Sequence, residues 1–224
     1  MKKVLFILLL ISKTLFIVAQ GKTIYFQNPS FEDVPFETKN TLKKSFKIEK
    51  KVNDSVLFQM GWFPCGFKNT SPPDRQPGMH GVEAKAAHGK YYLGLVTRTD
   101  TTWEGISQIL SSTLQKDSCY QFSMHLMHSL NLVSRTTQNI SKDVNFKSPC
   151  RLRIWGGTEL CDPKELLIET PPIHNTKWKR YLLQFTPHSD VKYLYFEVYY
   201  GGEKQTLGNL MMDNLSFIDM ISCK

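Results

Sequence analysis

The sequence lacks most of the short signatures of an active centre. No G-x-S-x-G elbow, H-E-x-x-H pair or C-x-x-C pair occurs in it, and no Ser/His/Asp set can be assigned. That removes the motif-level case for a serine hydrolase, a zincin or a zinc ribbon. Cysteine is sparse, five in 224 residues, too few for a small fold held together by disulfides. The longest unbroken apolar run, Val4 to Ile11, has eight residues, whereas a membrane-spanning helix needs about 20. Helix-period segments are weak, and no internal repeat, low-complexity tract or interdomain linker is visible. What is abundant is aromatic, at 12%, with 13 Gly and 11 Pro, a composition that favours strands and turns.

The N-terminus reads as a processing signal. A basic Met1-Lys2-Lys3 precedes the run Val4–Ile11, Ser12-Lys13-Thr14 interrupts it, and Leu15 to Ala19 resumes it. Cleavage is expected near Ala19/Gln20, giving a signal peptide over 1–19 and a single exported domain over 20–224. The block is too short to anchor the chain, and no Cys follows the cut to carry a lipid. The mature chain then has 25 basic and 20 acidic residues, net +5. Lys43, Lys44, Lys47, Lys50 and Lys51 crowd one stretch, expected to be a solvated loop, with contact to an anionic surface as the alternative. No nucleic-acid binding is expected of an exported chain with no recognition motif. The expected location is secreted: extracellular, cell-surface or periplasmic. Export permits disulfides among Cys65, Cys119, Cys150, Cys161 and Cys223. One of the five must be left over, and Cys223, beside the last residue, is the expected odd one.

Period-two alternation dominates the rest. Tyr120, Phe122, Met124 and Leu126 alternate with Gln121, Ser123, His125 and Met127. Leu152 and Ile154 oppose Arg151, Arg153 and Trp155. Leu194, Phe196, Val198 and Tyr200 oppose Tyr193, Tyr195, Glu197 and Tyr199. Lys90–Arg98, Trp178–Phe185 and Leu207–Ile218 read as further strands. Such segments have one buried face, and the pattern predicts an all-β, antiparallel β-sandwich (jelly roll) in a single domain. One helical turn is expected after Asp162-Pro163. Thr38–Ser55, Asn131–Ser148 and Pro64–Ala87 read as long loops.

An ordered set of short motifs runs through the chain. Asn28-Pro29-Ser30-Phe31-Glu32 opens it, then Gly61-Trp62, Gly89-Lys90-Tyr91-Tyr92-Leu93-Gly94-Leu95 and Glu104-Gly105-Ile106-Ser107-Gln108. Cys119-Tyr120-Gln121-Phe122, Trp178-Lys179-Arg180-Tyr181 with Phe185, and Asp213-Asn214 follow. This set resembles the galactose-binding-like β-sandwich of carbohydrate-binding modules of the cellulose- and xylan-binding type. The versions it looks closest to occur in secreted and outer-membrane proteins of gliding, polysaccharide-degrading bacteria. The resemblance implies polysaccharide or glycan binding, a framework role for Trp62 and Trp178, and a structural calcium held by Glu32 and Asp213 with backbone carbonyls. The alternative for that pair is hydrogen bonding to backbone amides at turns.

Strand parity collects an unusual polar set: Gln121 and His125, then Arg151, Arg153 and Trp155, then Tyr195, Glu197 and Tyr199. On one concave sheet these would form a groove of rings, guanidinium groups and a carboxylate, with Trp103 and Asp74 at its rim. Sugars are bound by this mix. The alternative is a second hydrophobic layer under the long loops, with Arg153–Glu197 as an internal ion pair. His125 and His128, three apart on a strand, face opposite ways and make no metal site. A glycosidase would need two carboxylates across one bond, from Glu104, Glu197 or Asp74. The expected function is therefore non-catalytic glycan binding. An envelope structural or adhesion protein, with other envelope proteins as partners, is the alternative, and a glycoside hydrolase the third choice.

Overall fold

The computed structural model describes residues 23–32, 61–67, 70–136 and 139–223. The expected signal peptide, the lysine-rich stretch and the loop Thr38–Ser55 lie outside the described residues.

The described residues form thirteen strands, in order β1 (Phe63–Pro64), β2 (Asp74–Gln76), β3 (Tyr92–Thr97), β4 (Gly105–Leu114), β5 (Cys119–Met127), β6 (Val133–Thr136) and β7 (Asn139–Asn145). Then come β8 (Ser148–Gly157), β9 (Glu165–Glu169), β10 (Lys179–Phe185), β11 (Val191–Tyr200), β12 (Gly208–Asp213) and β13 (Asp219–Ile221). Among the described residues there is no helix, and hence none long and apolar enough to cross a membrane.

The strands form two layers. One runs β1-β4-β11-β8-β9. In the other, β2 and β3 lead to β12, which pairs with β5; β10 takes the far edge of β5, and β13 continues along the β12 edge. All these pairings are antiparallel. The layers meet where β12 begins, with Gly208 and Asn209 parallel to Ser148 and Pro149 of β8. The main strands β3, β4, β5, β8, β10, β11 and β12 alternate between layers, the connectivity of a jelly roll. The protein is an all-β sandwich, as the alternation predicted.

The core lies between the layers and takes one parity from each strand. Phe122, Met124 and Leu126 of β5 and Leu210 and Met212 of β12 meet Leu152 and Ile154 of β8 and Leu194, Phe196 and Val198 of β11. Trp62 closes one end, fully buried against Phe26, Phe31 and Phe196, with its Nε1 donating to the Asn28 carbonyl. The N-terminal segment is stitched in by reciprocal backbone bonds between Ile24 and Ile218.

The opposite parity of the second layer is also covered. Tyr92, Met127 and Met211 point away from the main core and pack with Val82, Leu132 and Phe146. Those last three come from the two long segments read as loops. Asn131–Ser148 is not a loop throughout: it carries the hairpin β6–β7. Pro64–Ala87 contributes β2. Trp178 belongs to this second cluster, half-buried edge-on to Tyr92.

Two further expectations are corrected. The segment after Asp162-Pro163 is not a helical turn but leads into β9, which gains its hydrogen bonds from the edge of β8. Cys223 is not the odd cysteine: Cys119 pairs with Cys223 and Cys65 with Cys161. The free thiol is Cys150, fully buried on the core side of β8, where burial pushes its pKa up to about 12. Its parity with Leu152 and Ile154 already marked it as a core residue. An Ellman titration of native protein without reductant should therefore find no reactive thiol, and one per chain after denaturation. A reactive thiol in the native protein would contradict this pairing.

Candidate functional site

Among the described residues, no second hydrophobic cluster lies over the outer face of the first layer. Register places Tyr195 opposite Trp155, Glu197 opposite Arg153 and Tyr199 opposite Arg151. Because side chains alternate along each strand, these six share one face, opposite the core. On the far side of β8, β9 sets Glu169 beside Arg153, and on the far side of β11, β4 sets Gly105 beside Glu197.

Glu197 is the centre of this face, only 5% exposed. Its Oε1 accepts from Trp155 Nε1 at 2.9 Å, and its Oε2 from Trp103 Nε1 at 2.8 Å and the Tyr195 hydroxyl at 3.1 Å. Three neutral donors thus satisfy a buried carboxylate, which would otherwise be costly. Desolvation, with Glu197 alongside, holds the Tyr195 phenol protonated far above the usual tyrosine range. Gly105 makes the arrangement possible: a Cβ there would lie 2.4 Å from the Tyr195 ring.

The arginines are fixed by other partners. The Arg153 guanidinium lies 3.4 Å over the Tyr199 ring, and its Nε donates to Glu169. Its approach to Glu197 is only 3.9 Å. The expected internal Arg153–Glu197 pair is therefore secondary to Arg153–Glu169. Arg151 donates to Glu169 Oε1 at 2.6 Å and to the Gly201 carbonyl at 2.9 Å. Arg151, Arg153 and Glu169 side chains remain roughly a quarter exposed, at 26%, 23% and 28%. Trp103, in the turn before β4, is half-buried and packs edge-on against Tyr199 and Phe67.

A pocket of ≈ 440 Å³ opens beside this row. Phe63, Phe67, Trp103 and Tyr195 wall it, Glu197 also lines it, and the Cys65–Cys161 disulfide ties it to the β8–β9 turn. The sequence reading missed Glu169, Phe63, Phe67 and this disulfide frame. Glu169 lies in β9, whose Glu-Leu-Leu-Ile-Glu run has no clear alternation. Phe63 and Phe67 flank Cys65, and that spacing was the available signal.

Three residues expected in or beside the groove, His125, Gln121 and Asp74, are not brought to this face. His125 lies on β5, in the other layer, opposite Asp213; burial lowers its pKa. Gln121 shares that layer and bonds with Gln184. Asp74 lies on β2 and points to His80 Nε2 at 3.2 Å. It also adds to the field at Glu104, a fully buried carboxylate paired with Arg98 whose pKa burial pushes up to about 7. Parity fixes the face of His125 and Gln121 within β5 but not the layer that β5 joins, whereas Asp74, read as a loop residue at the rim, lies in β2 at the edge of the second layer.

Glu32 and Asp213 do come together, at the turn 88–91. Glu32 Oε1 accepts from the Lys90 and Tyr91 amides at 2.8 and 2.7 Å, and Asp213 Oδ2 from the His88 amide at 2.9 Å. Asp213 Oδ1 accepts from Asn214 N at 2.7 Å. Gly89, at φ +68°, lets Glu32 approach where a Cβ would meet its carboxylate at 2.4 Å. Burial pushes Asp213 up to about 6, against the backbone amides, and the Glu32 charge adds to the rise.

No family model matches the chain, and no curated protein matches it. Solved structures are similar in layout. One is the CBM22-1 xylan-binding domain of Paenibacillus barcinonensis Xyn10C, 13% identical over 91% of this chain and 97% of that one, TM-score 0.45. Another is the K3 cleaved adhesin domain of Lys-gingipain from Porphyromonas gingivalis, 10% identical over 88% and 98%, TM-score 0.48. A third is a Stig cyclase from Fischerella sp. TAU, 12% identical over 91% and 100%, TM-score 0.47. These likenesses concern layout, and the functional reading rests on this chain's own residues.

Asp213 gives a pH test. Its proton is held more tightly in the folded chain, about 6, than at the ordinary value of 3.8. Its contribution is therefore fully present below pH 4 and is lost as pH rises through 6, on the order of 1–3 kcal/mol. Melting temperature measured in EDTA should fall across that window, and Asp213→Asn should flatten the slope. An unchanged slope in the variant would contradict the assignment.

Proposed function

We propose that the outer face of β8 and β11 binds a polysaccharide chain without turning it over, outside the cell. The observation that carries this is one sheet face holding Trp155, Tyr199, Arg151, Arg153 and Glu169, partly open and fixed by mutual bonds. Flat rings suit the C–H faces of pyranose units, and forked guanidinium donors suit paired hydroxyls. Prior fixing of these groups lowers the entropic cost of binding. The non-catalytic reading is supported by the carboxylates of this face. Glu197 and Glu169 each hold fixed donors, whereas a glycosidase needs one carboxylic acid to give a proton and a second carboxylate to attack or activate water. Two disulfides, which form in oxidising compartments, support the extracellular location.

The test is a glycan array with oxidised protein, followed by Arg153→Lys. Lysine keeps the charge but loses the fork and the stack on Tyr199. Affinity for the bound glycan should drop about tenfold. Melting temperature should move by only about 2–4 °C, the equivalent of roughly 1 kcal/mol in a domain of this size. Failure of the wild type to bind any glycan would overturn the reading. Trp155→Ala is the poorer probe, because it strips a donor from buried Glu197 and so costs stability as well.

A structural calcium at Glu32 and Asp213 belongs to the same proposal. Two carboxylates at one turn are the hard oxygen donors that calcium takes. No group of three metal-ligating side chains occurs among the described residues, so backbone carbonyls would complete the shell. Millimolar calcium should then raise the melting temperature at pH 7.5. The rise should shrink at pH 5, where Asp213 is protonated. No calcium-dependent rise at pH 7.5 would remove the metal.

A further inference from the structure

We infer that the disulfide-framed pocket beside Glu197 is a binding site for an organic ammonium group. The inference rests on the face proposed above, because Glu197 and Trp103 belong to both. Its volume, ≈ 440 Å³, is in the range of small-molecule sites. Its walls are aromatic: Phe63, Phe67, Trp103 and Tyr195. Among the described lining residues Glu197 is the one that carries a charge.

Among the described residues that charge has no cation in hydrogen-bond contact. Glu197 is held by three neutral donors from Trp103, Trp155 and Tyr195. The nearest guanidinium, Arg153, stands 3.9 Å away and is committed to Glu169 and the Tyr199 ring. The pocket therefore joins aromatic rings to a carboxylate whose hydrogen bonds all come from neutral donors and whose nearest guanidinium is shared with Glu169. Aromatic walls of this kind attract alkylammonium ions over neutral groups of equal size. An anion would meet Glu197 directly and be repelled. The Cys65–Cys161 bond fixes the rim segment that carries Phe63 and Phe67, so the walls are in place before a ligand enters.

The ammonium group can come from an amino sugar within a glycan or from a small methylated amine, and the experiment separates these sources. Oxidised full-length protein is titrated with choline and with 3,3-dimethylbutan-1-ol, its neutral counterpart of the same shape, reading tryptophan fluorescence and calorimetric heat. Choline should bind at least about tenfold more tightly than the alcohol. Glu197→Gln should abolish that preference. Phe67→Ala removes a wall residue that is 40% exposed, so it spares the fold, and it should weaken choline binding. Equal affinity for choline and the alcohol, or no saturation by choline, overturns the inference. A glucosamine oligomer that binds more tightly than choline, with its N-acetylated form bound weakly, identifies the glycan source. The reverse order identifies the small amine. Choline carries no sugar ring, so its failure leaves the glycan reading standing, and an array without binders leaves a positive choline result standing.

Discussion

The outer face depends on one buried carboxylate. Glu197 comes from the middle of β11, yet its partners come from β8, from the turn before β4 and from its own strand two residues earlier. Those three bonds set the planes of two indoles and a phenol. The cost of an unpaired buried charge makes the arrangement self-enforcing, since no ring can swing away without stranding the carboxylate. The rings are therefore held by electrostatics, whereas the same strands' inner faces are held by apolar burial.

The two outer faces of the sandwich have different fates. The second layer's outer face is covered by Val82 from the Pro64–Ala87 segment and by Leu132 and Phe146 at the base of the β6–β7 hairpin, giving a small second core. On the first layer the neighbouring segment is drawn instead to the rim by the Cys65–Cys161 bond, and the polar row stays partly open. Long connections thus serve as hydrophobic cover on one side and as the wall of a pocket on the other.

Much of this was legible in the sequence. Alternation in β5, β8 and β11 puts Phe122, Met124, Leu126, Leu152, Ile154, Leu194, Phe196 and Val198 on the core face, where they lie, and the same parity joins Arg153 to Trp155 and Glu197 to Tyr199; Val191, beyond a register shift at the start of β11, reaches the core against that parity. Parity does not say which layer β5 joins, so it groups His125 with the groove although β5 lies in the other layer. Glu169 was invisible because an edge strand paired on one side needs no regular alternation. Nearness to the chain end does not leave Cys223 unpaired, because β13 carries that end alongside β5 and brings it to Cys119. Glu32 and Asp213, at opposite ends of the described chain, did meet, and they hold backbone amides at the turn where they converge.

The alternation of strands between layers also governs how the chain can assemble. Adjacent main strands seldom pair with each other: β11 must find β4 and β8, and β12 must find β3 and β5. Ile24 meets its partner Ile218 only when nearly the whole chain is available. Such non-local topology closes large loops before any contact offsets them, so folding belongs to the slow, millisecond-to-second regime of all-β domains. During that interval the apolar faces of β5, β8 and β11 are bare, and newly made chain is open to association with its own copies until the last strands arrive.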